Sequence, residues 1–399
     1  MTMPPLFAAP HRMPFLAGTL GLSGLALWWL VQLVALHAGG PVPPQTTLPA
    51  SLLHGPAMIY AGFSPLIFGF LLTVFPRWMG QSDIGPSAFG PVGIAPLLGG
   101  VTALQAGLWA GLDWLVLGGF AAIALGWLIA LTALGVVLKR DAGSGRPRCW
   151  HAWSALAALA LGMTGVCAAA AFVATGDAQF LYVANRLGIG GLLLPVFLTV
   201  SHRMVPFFAA NVVEGYNRWR PDWLLAALWL LLLARLGGEV LAIAPLTAIA
   251  NLGLAVATGV MCWRWWPRSS APGLLLVLVW GFAWAPAGFA LAAFDGVFAL
   301  GGRGPDHALM IGFAGSLMIG MVTRVTQGHS GRPLTMPIAA WIAFAAIQLA
   351  AASRIIAAIY AYHGYWLLAA ITVFALGLLP WAVRNAAIYL KPRRDGKAG

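Results

Sequence analysis

The chain is poor in charge. Only 8% of its 399 residues are Asp, Glu, Lys or Arg, and only ten are acidic. A soluble domain carries about 25% charged residues, so a soluble globule of this length would lack the means to cover its surface. The scarcity of acids leaves no paired carboxylates for acid–base work. The three cysteines, Cys149, Cys167 and Cys262, are scattered without a CxxC spacing. That excludes a disulfide scaffold, a thiolate metal cluster and covalently attached c-type haem. No Gly-rich phosphate loop and no Ser-His-Asp arrangement is present to carry other common chemistries.

Apolar residues fill the space. Hydrophobic residues make up 61% of the chain, with 19 Trp and 49 Gly, a mixture suited to closely packed helices in lipid. A bilayer is crossed by about 20 apolar residues. Read on that scale, the sequence divides into about twelve spans, near 14–36, 56–78, 92–111, 113–138, 150–174, 179–203, 221–243, 246–267, 272–300, 305–327, 335–361 and 363–390. The loops between them are short, so residues 1–399 read as one all-α integral membrane domain, a polytopic bundle. The run at 14–36 is too long for a signal-peptide core and lacks a small-residue cleavage site, which makes it the first span.

The net charge of +12 is a topology signal and not a nucleic-acid one. With both termini in the cytoplasm, Arg12, Arg77, Lys139, Arg140, Arg203, Arg218, Arg220, Arg264, Arg268, Arg324, Arg332 and the basic tail all fall inside or at inner helix ends. Arg303 lies in an outer loop. This asymmetry follows the positive-inside rule. A weak internal repeat accompanies it: Thr73, Thr199 and Thr323 recur at about 125 residues, near the ends of spans two, six and ten. Three four-helix units would give a pseudo-threefold bundle. Leu, Val and Thr before a basic end are also common in any span.

Chemistry, if present, rests on histidine, whose neutral imidazole is a ligand for haem iron and copper. His54 opens span two and His307 opens span ten, both at the outer face. His202 ends span six and His329 follows span ten, both at the inner face. His11, His37, His151 and His363 sit at helix ends as interfacial residues. His307 and His329 are 22 residues apart, roughly 30 Å along a helix, so they serve different sites. The outer pair His54 and His307 suits one six-coordinate haem iron; the inner pair His202 and His329 suits a second haem or a copper ion. His329 as a simple helix cap is the plainer alternative.

Three arginines lie within spans: Arg186 in span six, Arg235 in span seven and Arg354 in span eleven. Intramembrane charge is costly and usually functional. Glu239 follows Arg235 by four residues and shares its helix face. One reading is a structural ion pair with two arginines reaching outward. The other is an anion site in the outer half, of the kind haem propionates would occupy.

Three stretches carry a family resemblance. They are Gly69-Phe70-Leu71-Leu72-Thr73-Val74-Phe75-Pro76-Arg77-Trp78-Met79-Gly80, then His202-Arg203-Met204-Val205-Pro206-Phe207-Phe208, and finally His307-Ala308-Leu309 with Thr323-Arg324-Val325 and Gly328-His329-Ser330-Gly331-Arg332-Pro333-Leu334. Together they resemble the NnrS family. The resemblance implies a twelve-helix bacterial inner-membrane protein containing haem b and copper, linked to nitric oxide and nitrosative stress, with nitric oxide or a related small molecule as ligand and an electron donor as a further partner. Family members commonly open span two with His-x-His-Glu-Met; this chain has His54-Gly55-Pro56-Ala57-Met58. The layout is also similar to the catalytic subunit of haem-copper oxidases, an analogy of fold alone. The expected function is a haem protein of nitric-oxide metabolism, a haem-dependent oxidoreductase being one form of it. The alternative is a small-molecule or anion transporter without a cofactor.

Overall fold

The computed structural model describes residues 4–396 except 87–88, 91–92, 146, 299–301 and 361–362, and gives side-chain placements for neither 93–95, 298 nor 363. His363 therefore lies outside the described side chains. Among the described residues there is no strand. Eleven helices are long and apolar enough to cross a membrane. They are α1 Arg12–Ala38, α2 Ala50–Trp78, α4 Asp113–Ala142, α5 Trp150–Thr175, α6 Ala178–Val212, α7 Asp222–Val240, α8 Ala244–Trp265, α9 Gly273–Val297, α10 Gly304–His329, α11 Ile338–Ile359 and α12 Gly364–Tyr389. A shorter helix, α3, covers 93–110 and brings the number to the twelve that the sequence predicts. The protein is a polytopic helical membrane bundle.

Boundaries follow the apolar runs closely, with α6 the main exception. It continues past His202 and Arg203 to Val212, because a helix can extend into the polar interface after its apolar stretch has ended.

Helices α2, α6 and α10 form a class apart. Their most apolar stretches are 89%, 72% and 78% buried, against 56% or less in the other eight spans. Each contains a π-helical segment close to its N-terminal end: Met58–Phe63, Leu187–Leu193 and Ala308–Gly315. Thr73, Thr199 and Thr323 are all buried. The residue following the π segment is a buried serine in α2 and α10, Ser64 and Ser316; Ser64 Oγ donates to the Ile59 carbonyl five residues back (2.7 Å). Shared burial, shared widening of the helix and spacing near 125 residues support the internal repeat.

The chain packs as two compact units. The first contains residues 1–188, 325–333 and 379–399. Its helices approach through glycine: a Cβ on Gly100 would lie 2.9 Å from the Gly119 carbonyl oxygen, and one on Gly119 2.6 Å from the Leu104 nitrogen. Buried indoles donate to backbone carbonyls that the helix ladder leaves accessible, Trp28 to Leu108 (3.2 Å) and Trp127 to Leu159 (2.9 Å). The buried Arg12 guanidinium donates to the carbonyls of Pro5 (2.9 Å), Tyr389 (3.4 Å) and Lys391 (2.8 Å), tying α1 to the end of α12.

The second unit contains residues 189–324 and 334–378. Trp265 donates to the Trp219 carbonyl (3.0 Å), and Trp284 donates to Gln348 (2.6 Å), which in turn donates to Ser316 Oγ (2.7 Å).

The adjacent glycines of α4 give a direct test of this packing. Gly119 faces α3, whereas a Cβ on Gly118 meets nothing within 4 Å. Gly119→Ala should cost about 1–3 kcal/mol through overpacking, seen as a lower unfolding midpoint in detergent. Gly118→Ala should leave the midpoint unchanged or raise it.

Candidate functional site

The residues singled out by sequence gather in three places. The first lies in the second unit, around the N-terminal end of α10. Arg235 of α7 is buried, and its Nη2 meets Glu239 Oε1 at 2.8 Å, one helical turn on, with side-chain exposures of 5% and 9%. Its Nε donates to Asn251 Oδ1 of α8 (3.0 Å). Asp306 stands 3.9 Å from the same guanidinium and 3.4 Å from Arg303. A Cβ on Gly190, within the π segment of α6, would lie 3.5 Å from Arg235 Nη1. The ion pair foreseen for Arg235 and Glu239 is present, and it belongs to a larger network. Asn251 was not singled out by sequence, though a lone amide inside an apolar run is a recognisable signal.

His307 adjoins this network. Its Nδ1 lies 2.6 Å from the Arg303 carbonyl oxygen and 3.3 Å from Arg354 Nη2. The shorter contact requires a proton on Nδ1, since a carbonyl oxygen only accepts. That fixes the tautomer and leaves the lone pair on Nε2. The Arg354 guanidinium is then a neighbouring positive charge and not a hydrogen-bond donor to the ring.

The second place lies in the first unit, where the start of α2 meets the first turns of α6. His54 stacks on Trp29 with ring centres 4.3 Å apart and planes 18° from parallel. A Cβ on Gly55 would approach Asn185 Oδ1 to 2.8 Å, so only glycine permits this contact without displacing the amide. Arg186, next to Asn185, lies over the Tyr182 ring at 5.2 Å. Pro56 and Ala57, at the family's second His and Glu positions, are buried apolar packing. His54, Arg186 and His307 all lie within four residues of the start of a π segment, a feature that recurs at functional sites.

The third place is at the basic end of the first unit. His329 lies against His11, with ring centres 4.9 Å apart and planes at 58°. His11 is 2% exposed, and its Nδ1 has no hydrogen-bond partner. Burial first, then His329 and the Arg12 guanidinium, hold the His11 imidazole well below the usual histidine range, and so neutral. The interfacial reading of His11 missed this pairing, because 318 residues of sequence separate the two rings. His202, the partner proposed for His329 from sequence, belongs to the second unit. It is fully buried, its Nε2 lies 3.2 Å from the Pro221 carbonyl oxygen, and Trp265 stands 6.4 Å away. Among the described residues no three His, Cys, Asp or Glu side chains converge as a metal cluster.

Buried helices that carry histidines and arginines at their ends define a class, the multi-pass helical membrane protein with polar sites near the membrane surfaces. The family model described as NnrS protein matches residues 5–393, and the chain belongs to the NnrS family. No curated protein matches it.

The Arg235 network makes a stability prediction. Arg235→Leu leaves Glu239 buried without its cation and should cost about 3–5 kcal/mol. The Arg235→Leu, Glu239→Leu double variant should recover more than half of that loss. Thermal unfolding of the three proteins in one detergent measures both effects.

Proposed function

We propose that the protein binds haem b at the His307 end of α10 and acts in the bacterial inner membrane as a haem protein of nitric-oxide metabolism. The observation that carries this reading is the hydrogen bond from His307 Nδ1 to the Arg303 carbonyl. A metal-bound histidine typically donates its other ring N–H to a carbonyl or carboxylate, which orients the ring and makes the ligating nitrogen more basic. His307 has that arrangement, with Nε2 left for iron. His54 is the second proposed imidazole ligand.

Arg354 stands beside His307, and Arg186 lies one residue from the close contact beside His54. Both fit the role of propionate partners. Arg235 fits less well, because Glu239 and Asn251 already occupy it; its part is to fix Asp306 and the start of α10. A bound haem would supply an iron centre able to take nitric oxide and exchange single electrons. The protein's own residues orient the imidazole, neutralise carboxylates and exclude water through the apolar surroundings of α10. Membership of the NnrS family supports the link to nitric oxide. Copper is the second group that the resemblance implies.

An optical spectrum tests the reading. Protein purified from haem-replete cells should be red with a low-spin b-type spectrum, and His307→Ala and His54→Ala should each abolish the low-spin form while the protein still inserts. Arg354→Leu should lower haem occupancy or the midpoint potential, since removing a cation favours ferric iron. A colourless wild-type protein would overturn the proposal and favour the transporter alternative.

A further inference from the structure

We propose that His11 and His329 form a copper(I) site at the basic end of the first unit, separate from the haem site. The ring spacing is the first argument. Two imidazoles on one near-tetrahedral ion, with metal–nitrogen bonds of about 2.0–2.1 Å, place their ring centres about 5 Å apart. The observed separation is 4.9 Å, with the planes tilted at 58° and not stacked. A haem clamped between two histidines needs its rings farther apart, on opposite sides of the iron. This pair therefore suits a bare ion.

The unpaired nitrogen is the second argument. His11 is 2% exposed, yet its Nδ1 has no partner. A buried polar nitrogen without a hydrogen bond costs about 1–3 kcal/mol, and a metal ion would remove that cost. The surroundings hold the ring rigidly: Phe15 lies edge-on at 5.4 Å and Tyr389 at 6.4 Å. The Tyr389 hydroxyl is itself held by Thr326 at 2.8 Å.

Charge selects the ion. Three guanidiniums surround the pair, those of Arg12, Arg77 and Arg393. Asp83 neutralises Arg77 and Asp395 neutralises Arg393. Arg12 donates only to neutral carbonyls and keeps its full charge. A divalent ion would be repelled twice as strongly as a monovalent one. Hard cations also want oxygen ligands, whereas imidazole suits copper. Copper(I) meets both conditions, and two protein ligands leave it open to a small third ligand.

The test is copper(I) loading of the purified full-length protein in competition with bicinchoninate. Wild type should bind one copper(I) per chain at this site. His11→Phe and His329→Phe keep a flat ring in place and remove the donor; each should weaken binding at least tenfold. X-ray absorption at the copper edge of wild type should show an imidazole shell. Wild-type affinity in either Phe variant, or a copper shell without imidazole, would overturn the site. Should the variants precipitate, the wild-type absorption spectrum decides. The haem reading fails on a colourless protein, and this one fails on its copper shell, so the two outcomes remain distinct.

Discussion

Hydrocarbon offers no hydrogen bonds, and every polar atom in this molecule answers to that fact. Helices satisfy the backbone. What remains is the side chains, and they are consistently turned to backbone oxygen: indoles on Leu108, Leu159 and Trp219, the Arg12 guanidinium on three carbonyls, Ser64 on Ile59. The same constraint makes exceptions informative. His11 Nδ1 is buried and unanswered, and His307 Nδ1 is answered so that its other nitrogen remains open.

Burial is distributed unevenly among the helices. Lipid-facing helices expose leucine, valine and tryptophan without cost, as Leu230, Ile249 and Trp223 do. Helices α2, α6 and α10 are covered nearly all round, and they carry His54, Arg186 and His307. Their π segments add a residue to the turn. One added residue turns everything before it by about 100° relative to everything after it. The ends of these helices can thus be aimed separately from the packed portions that follow.

The fold was legible because hydropathy and length decide it: the spans, their number and the class of the bundle all come from runs of apolar residues. The Arg235–Glu239 pair was legible from a spacing of four. Tertiary pairings were harder to see. Asn251 reaches Arg235 across a helix pair, Arg303 supplies a backbone oxygen and no side-chain signal, and His11 meets His329 from the opposite end of the chain. Such contacts depend on which helix lies beside which, and composition carries no information about neighbours. The π segments were invisible for a related reason, since a single inserted residue barely disturbs an apolar run.

The Arg12 anchor has a bearing on biosynthesis. Its guanidinium sits at the head of the first helix to enter the bilayer, while one of its carbonyl partners, Tyr389, is 377 residues further along. At about 5–20 residues per second the ribosome needs roughly 20–75 s to reach it. Throughout that interval the first helix waits beside the translocon with a cation that only water, headgroups or a chaperone can satisfy. Release of the last helix is what allows the first one to settle, so assembly of the first unit is closed by its final segment and a nascent chain cut short would leave it open.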